Sequence, residues 1–169
     1  MPRPDLSRVP EFYHGYINNV KQDDLAAAVK EHTAIFEDFF NKIPAGKREF
    51  RYAEGKWSIK EILQHVIDAE RVFVYRAMCF SRKDQTPLPS FDENAYADNS
   101  KAGKRNWEEM REEFRTLRRS TELLFGSFDE EQLETSGIAS GKPIYVRALC
   151  YIAIGHAAHH LNVIKERYL

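Results

Sequence analysis

Apolar residues recur at steps of three and four along four long stretches of this chain, and the two-residue alternation of strands is almost missing. That period confines the chain to amphipathic helices, each with one face to bury. The first stretch runs from about Asp23 to Lys42, with Leu25, Ala28, Val29, Phe36, Phe39 and Phe40 on one stripe, and Pro44 and Gly46 end it. The second opens at Ser58, which has Glu61 at the spacing of a capping box and Trp57 ahead of it as a staple residue. Ile59, Ile62, Leu63, Val66, Ala69 and Phe73 carry it to about Phe80. The third begins near Asn106, and Trp107, Met110, Phe114, Leu117, Thr121 and Leu124 form its seam. The fourth starts around Pro143, a residue tolerated in a first helical turn, and runs through Ala148, Leu149, Ile152 and Ala153 to about Arg167.

Four such helices predict an all-α four-helix bundle, read as a single domain over residues 1–169. The connections are less regular. Glu11 to Ile17 reads as a short aromatic-rich turn or helix, and Ser127 to Lys142 as a short helix and a hairpin-like link. Asp84 to Arg105 reads as a long loop between the second and third helices. It is a lid, a dimer contact, or a surface excursion packed by Leu88, Phe91 and Tyr96.

Charge narrows the function classes. The 25 basic and 26 acidic side chains nearly cancel, which argues against a nucleic-acid surface or a polybasic membrane anchor. No apolar run reaches the roughly 18 residues of a membrane span. Cys79 and Cys150 form no CxxC pair, and the start Met1-Pro2-Arg3-Pro4-Asp5 lacks a signal-peptide core, so the expected compartment is the cytoplasm. The run Glu108, Glu109, Glu112 and Glu113 reads as a solvated face near a helix N-terminus rather than an acidic metal site.

Packing alone does not account for Gly155-His156-Ala157-Ala158-His159-His160. His156 and His160 lie one helical turn apart on one face, the spacing of a two-point metal clamp. Gly155 lowers helix propensity there, which suggests close packing beside the histidines. His65, next to the Ile62 and Ala69 stripe, is the best third ligand from across the core. His159 points about 100° away from His160 and reads as outward-facing or supporting. His32 falls on the apolar side of the first helix as a core histidine, and His14 has no spacing argument. Asp68, one turn after His65, either orients an imidazole or water or serves the surface; for Glu70, turned about 140° from His65, a surface or capping role is open. Cys79 is about four turns from His65, too far to share a metal. Ala157 stands where an H-E-x-x-H motif needs its glutamate, and no Glu-x-x-His of a carboxylate-bridged di-iron site appears.

Trp57-Ser58-Ile59-Lys60-Glu61-Ile62-Leu63-Gln64-His65, followed by Asp68-Ala69-Glu70-Arg71, resembles the helix-two signature of the DinB/YfiT-like superfamily. Gly155-His156-Ala157-Ala158-His159-His160-Leu161-Asn162 is similar to its last-helix signature, and Phe91-Asp92-Glu93 resembles one branch. The resemblance implies an up-down-down-up bundle, often dimeric, in which His65, His156 and His160 hold a divalent cation, nickel or zinc first and iron next. It also implies a metal-dependent enzyme acting on a small molecule, with thiol-dependent S-transfer using a low-molecular-weight thiol as the leading expectation. A metal-dependent hydrolase and a non-catalytic metal-binding stress-response bundle are the alternatives.

Overall fold

A computed structural model describes residues 3–169; Met1 and Pro2 of the proline-bearing start lie outside the described residues. After 3-10 turns at Leu6–Arg8 and Glu11–Tyr13 come a short helix α1 (His14–Asn18) and the long α2 (Leu25–Asn41). Helix α3 (Ile59–Ser81) follows, then the short α4 (Glu93–Ser100), the long α5 (Trp107–Gly126) and the short α6 (Glu130–Glu134). A hairpin of β1 (Ser136–Ala139) and β2 (Lys142–Tyr145) leads into α7 (Val146–Arg167).

Local chemistry sets most helix starts. The Asp24 carboxylate caps α2 by accepting from the Ala27 N–H, and Asn106 caps α5 by accepting from Glu108 and Glu109. At α3 the capping box is complete: the Ser58 N–H donates to Glu61 Oε2 at 2.7 Å, and the Glu61 N–H donates to Ser58 Oγ at 3.3 Å. The acidic run of α5 is bound up in ion pairs, with Glu113 held by Arg71 and Arg105 and Glu112 by Arg115.

Two expectations need correction. The 84–105 segment is not a continuous loop, because Asp92 accepts from the N–H groups of Asn94 and Ala95 and so starts α4. Within it Leu88 is buried, whereas Tyr96 is exposed and touches Phe91 rather than packing the core. The fourth long helix begins three residues after Pro143, which instead pairs opposite Ile138 in the hairpin. Ser140 and Gly141 turn that hairpin with φ of 53° and 73°, the left-handed pair that a two-residue turn requires.

The long helices α2, α3, α5 and α7 form the bundle, with α3 lying along α7, α2 against α5, and α1 crossing α7. Helix α7 is buried along nearly its whole length, so it is the axis around which the others pack. One apolar cluster joins its first half to α1, the hairpin and the second half of α3, through residues such as Ile17, Phe80, Ile144 and Tyr151. The other joins its second half to α2, α5 and the first half of α3, through Phe36, Leu63, Phe114 and Leu161. The histidines of α3 and α7 lie where the two clusters meet. Among the described residues, no helix is long and apolar enough to cross a membrane.

Candidate metal centre

Helix α3 delivers His65 and helix α7 delivers His156 and His160, and their ring nitrogens converge. His65 Nε2 lies 3.0 Å from His156 Nε2, which lies 3.2 Å from His160 Nε2. All three ligand atoms fall within 4.8 Å of one another. A cation about 2.0–2.1 Å from each nitrogen would hold neighbouring donors about 2.9–3.4 Å apart, so the set fits a divalent metal. Among the described residues no other group of histidine, cysteine and carboxylate side chains is placed to hold an ion.

Burial prepares these imidazoles as ligands by keeping them neutral. Desolvation pulls His65 down to about 4, against the opposing charge of Glu93. Desolvation, with His65 and His159 adding to it, takes His160 to about 3. His156 is driven well below the usual imidazole range by burial and then by its two histidine neighbours. Neutral nitrogen is the form that coordinates metal.

Aromatic rings fix the imidazoles in place. Trp57, just before the α3 cap, stacks obliquely at 4.7 Å from His65, and its carbonyl accepts from the Tyr168 hydroxyl at 2.6 Å. Tyr16 of α1 meets His156 edge-on at 5.2 Å, and Phe73 meets the same ring at 5.6 Å. Gly155 permits this approach of α1. A Cβ there would collide with the Tyr16 carbonyl oxygen, and Asn19 Nδ2 donates to the Gly155 carbonyl at 3.4 Å.

The other sequence candidates fall outside the cluster. His159 is half-buried against Tyr16 and the outer side of His160. His32 is buried in the bundle, its pKa lowered by desolvation and by Arg118. The His14 ring hydrogen-bonds the Val9 carbonyl at 2.9 Å. Asp68 accepts from Gln64 Nε2 at 2.9 Å and lies 3.7 Å from Arg71, so it serves a surface network. Glu70 is neither a surface nor a capping residue; it is buried in an ion pair with Arg118.

A cleft of about 940 Å³ opens beside the three histidines. Its wall includes Tyr13, Trp57, Phe73 and Phe91, together with five charged residues, Arg8, Glu11, Arg76, Glu93 and Lys142. The Phe91-Asp92-Glu93 motif was the sequence signal for Glu93. Arg76 carried none, because its position beside the cleft depends on how the hairpin folds over α3.

The DinB superfamily profile matches residues 28–164. The chain is also similar in structure to YfiT from Bacillus subtilis, described as a probable metal-dependent hydrolase with an unusual four-helix bundle topology. That likeness has a TM-score of 0.75 at 14% identity and covers 97% of this chain and 90% of the other. No curated protein gives a significant sequence match. A bundle of this topology, a three-histidine cluster shared between α3 and α7, and a family match over most of the chain agree: the protein belongs to the DinB superfamily.

Proposed function

We propose that this protein is a metal-dependent hydrolase in which His65, His156 and His160 hold one divalent cation, zinc or nickel. The observation that carries the reading is the convergence of three neutral imidazoles, two buried and one partly buried, beside a cleft large enough for a small-molecule substrate. A cation held by three protein ligands supplies Lewis acidity and acidifies water at an open position. The up-down-down-up order of the long helices belongs to the same proposal.

The remaining work falls to the chain's own residues. Glu93, at the start of α4, lines the same cleft and its charge opposes the lowering of the His65 pKa, and we assign it the role of taking a proton from water. Tyr16, Trp57 and Phe73 keep the imidazoles oriented and shield one side of the centre from solvent. Hydrolysis is preferred over the thiol transfer that the resemblance implies, because a carboxylate lines the same cleft as the histidines. The similar fold of YfiT supports the same choice.

Ester and amide hydrolysis by zinc- and nickel-loaded protein, before and after chelation, tests the reading. Loaded protein should turn over activated esters and lose that activity with its metal. Glu93→Gln should keep stoichiometric metal while kcat falls on the order of 10²-fold. Equal hydrolysis by chelated and loaded protein would refute the proposal.

A further inference from the structure

Arg76 is the feature of the cleft that the metal centre leaves unexplained. Its side chain is buried, with the residue only 2% exposed, yet it lines the cleft wall. One of its nitrogens, Nη2, donates to the Pro89 carbonyl at 2.6 Å and to Ser140 Oγ at 3.0 Å. Among the described residues no carboxylate lies within ion-pair reach of it. A buried guanidinium is ordinarily matched by an anion, because dehydrating an unpaired charge is costly. Burial accordingly pushes its pKa down, with only the Tyr13 phenol acting the other way. The contrast inside the same molecule is direct: buried Arg118 has Glu70, and buried Arg147 has Glu130 and Glu134.

Position relates Arg76 to the histidines. It follows His65 by eleven residues, which at about 100° per residue returns it to nearly the same face of α3, about 16 Å further along the axis. The space between is lined by rings: Phe73 touches His156 at 5.6 Å, and Tyr13 meets Phe73 at 6.3 Å beside Arg76. The hairpin turn closes the far end. Ser140 occupies a left-handed position that favours asparagine or glycine, and its hydroxyl is the one that accepts from Arg76.

We propose that Arg76 is an anion subsite at the end of the cleft remote from the histidines. The substrate is then an ester or amide with an apolar or aromatic body and a terminal carboxylate seated on Arg76. The naming of an ester or amide rests on the hydrolytic reading, whereas the anion subsite does not. The guanidinium fork suits a planar carboxylate, and the aromatic stretch sets the spacing between carboxylate and scissile bond.

Binding of 4-phenylbutyrate and of the neutral 4-phenylbutyramide to the full chain, followed by Trp57 fluorescence and calorimetry, tests this without turnover. Metal-free wild type should prefer the acid by about tenfold, and Arg76→Gln should bind both ligands equally. His160→Ala should retain the preference. Equal binding of acid and amide by wild type overturns the subsite whether or not the variant folds. So does an Arg76→Gln protein that melts lower but keeps the preference, since Arg76 would then only brace the hairpin. A preference that vanishes in His160→Ala but survives in Arg76→Gln places the anion at the histidines, overturning the subsite while leaving the metal-dependent reading intact.

Discussion

Glu70 and Arg118 form an ion pair inside the bundle, with Glu70 Oε2 2.7 Å from Arg118 Nε and both side chains sealed from solvent. Thr121 donates its hydroxyl proton to the other Glu70 oxygen at 2.7 Å, and Arg118 donates to the Ala153 carbonyl at 3.4 Å. Phe36 and Phe114 flank the guanidinium. The pair ties α3 to α5 and α5 to α7 at the level where the histidines converge. Removing one member leaves a buried charge uncompensated. Glu70→Ala and Arg118→Ala should each cost about 3–5 kcal/mol in urea unfolding, while Glu70→Leu with Arg118→Met should recover most of the loss. Additive costs in the double variant would contradict a coupled pair.

Five variants separate ligands from bystanders. Elemental analysis of untagged protein should show His65→Ala, His156→Ala and His160→Ala each losing stoichiometric metal, while His14→Ala and His159→Ala retain it. Full metal retention by any of the first three removes that residue from the proposed ligand set.

Gly155 should tolerate no side chain. Gly155→Ala drives a methyl group into the Tyr16 backbone, an overpacking that costs about 1–3 kcal/mol and displaces α1 from His156. Gly15, in α1 with open space around its Cβ position, is the control: Gly15→Ala should be neutral or stabilising by up to about 1 kcal/mol. Thermal melts of the two variants read the difference, and a Gly155→Ala protein as stable as wild type contradicts the contact.

Acid should destabilise the metal-free protein through the same histidines. Folding lowers His65 to about 4 and His160 to about 3 from the ordinary value of 6.5, and lowers His156 as well. Below about pH 6.5 the unfolded chain therefore binds protons that the folded chain refuses. Stability is full above that pH and falls as the pH drops towards 4, with each histidine contributing a slope of at most about 1.4 kcal/mol per pH unit. Denaturant midpoints of chelated protein at about pH 7.5 and about pH 5.5 check this, and His156→Ala should flatten the dependence.

What the sequence determined by itself is what neighbours in the chain decide. The Ser58 and Glu61 capping box, the Asn106 cap and the apolar stripes set the starts and faces of the long helices, and the i, i+4 spacing puts His156 and His160 together. His65 was legible as their partner because a histidine beside an apolar stripe has few directions open to it. The tertiary structure decided the rest. Glu70 stands opposite Arg118 only because α3 and α5 pack at that register. Gly155 is required only because α1 crosses α7 there, and Arg76 is left without an anion only because the hairpin and the segment at Pro89 close over it. Each depends on contacts between elements far apart in the chain, where the packing of whole helices, and not local preference, fixes which charged or small residue meets which neighbour.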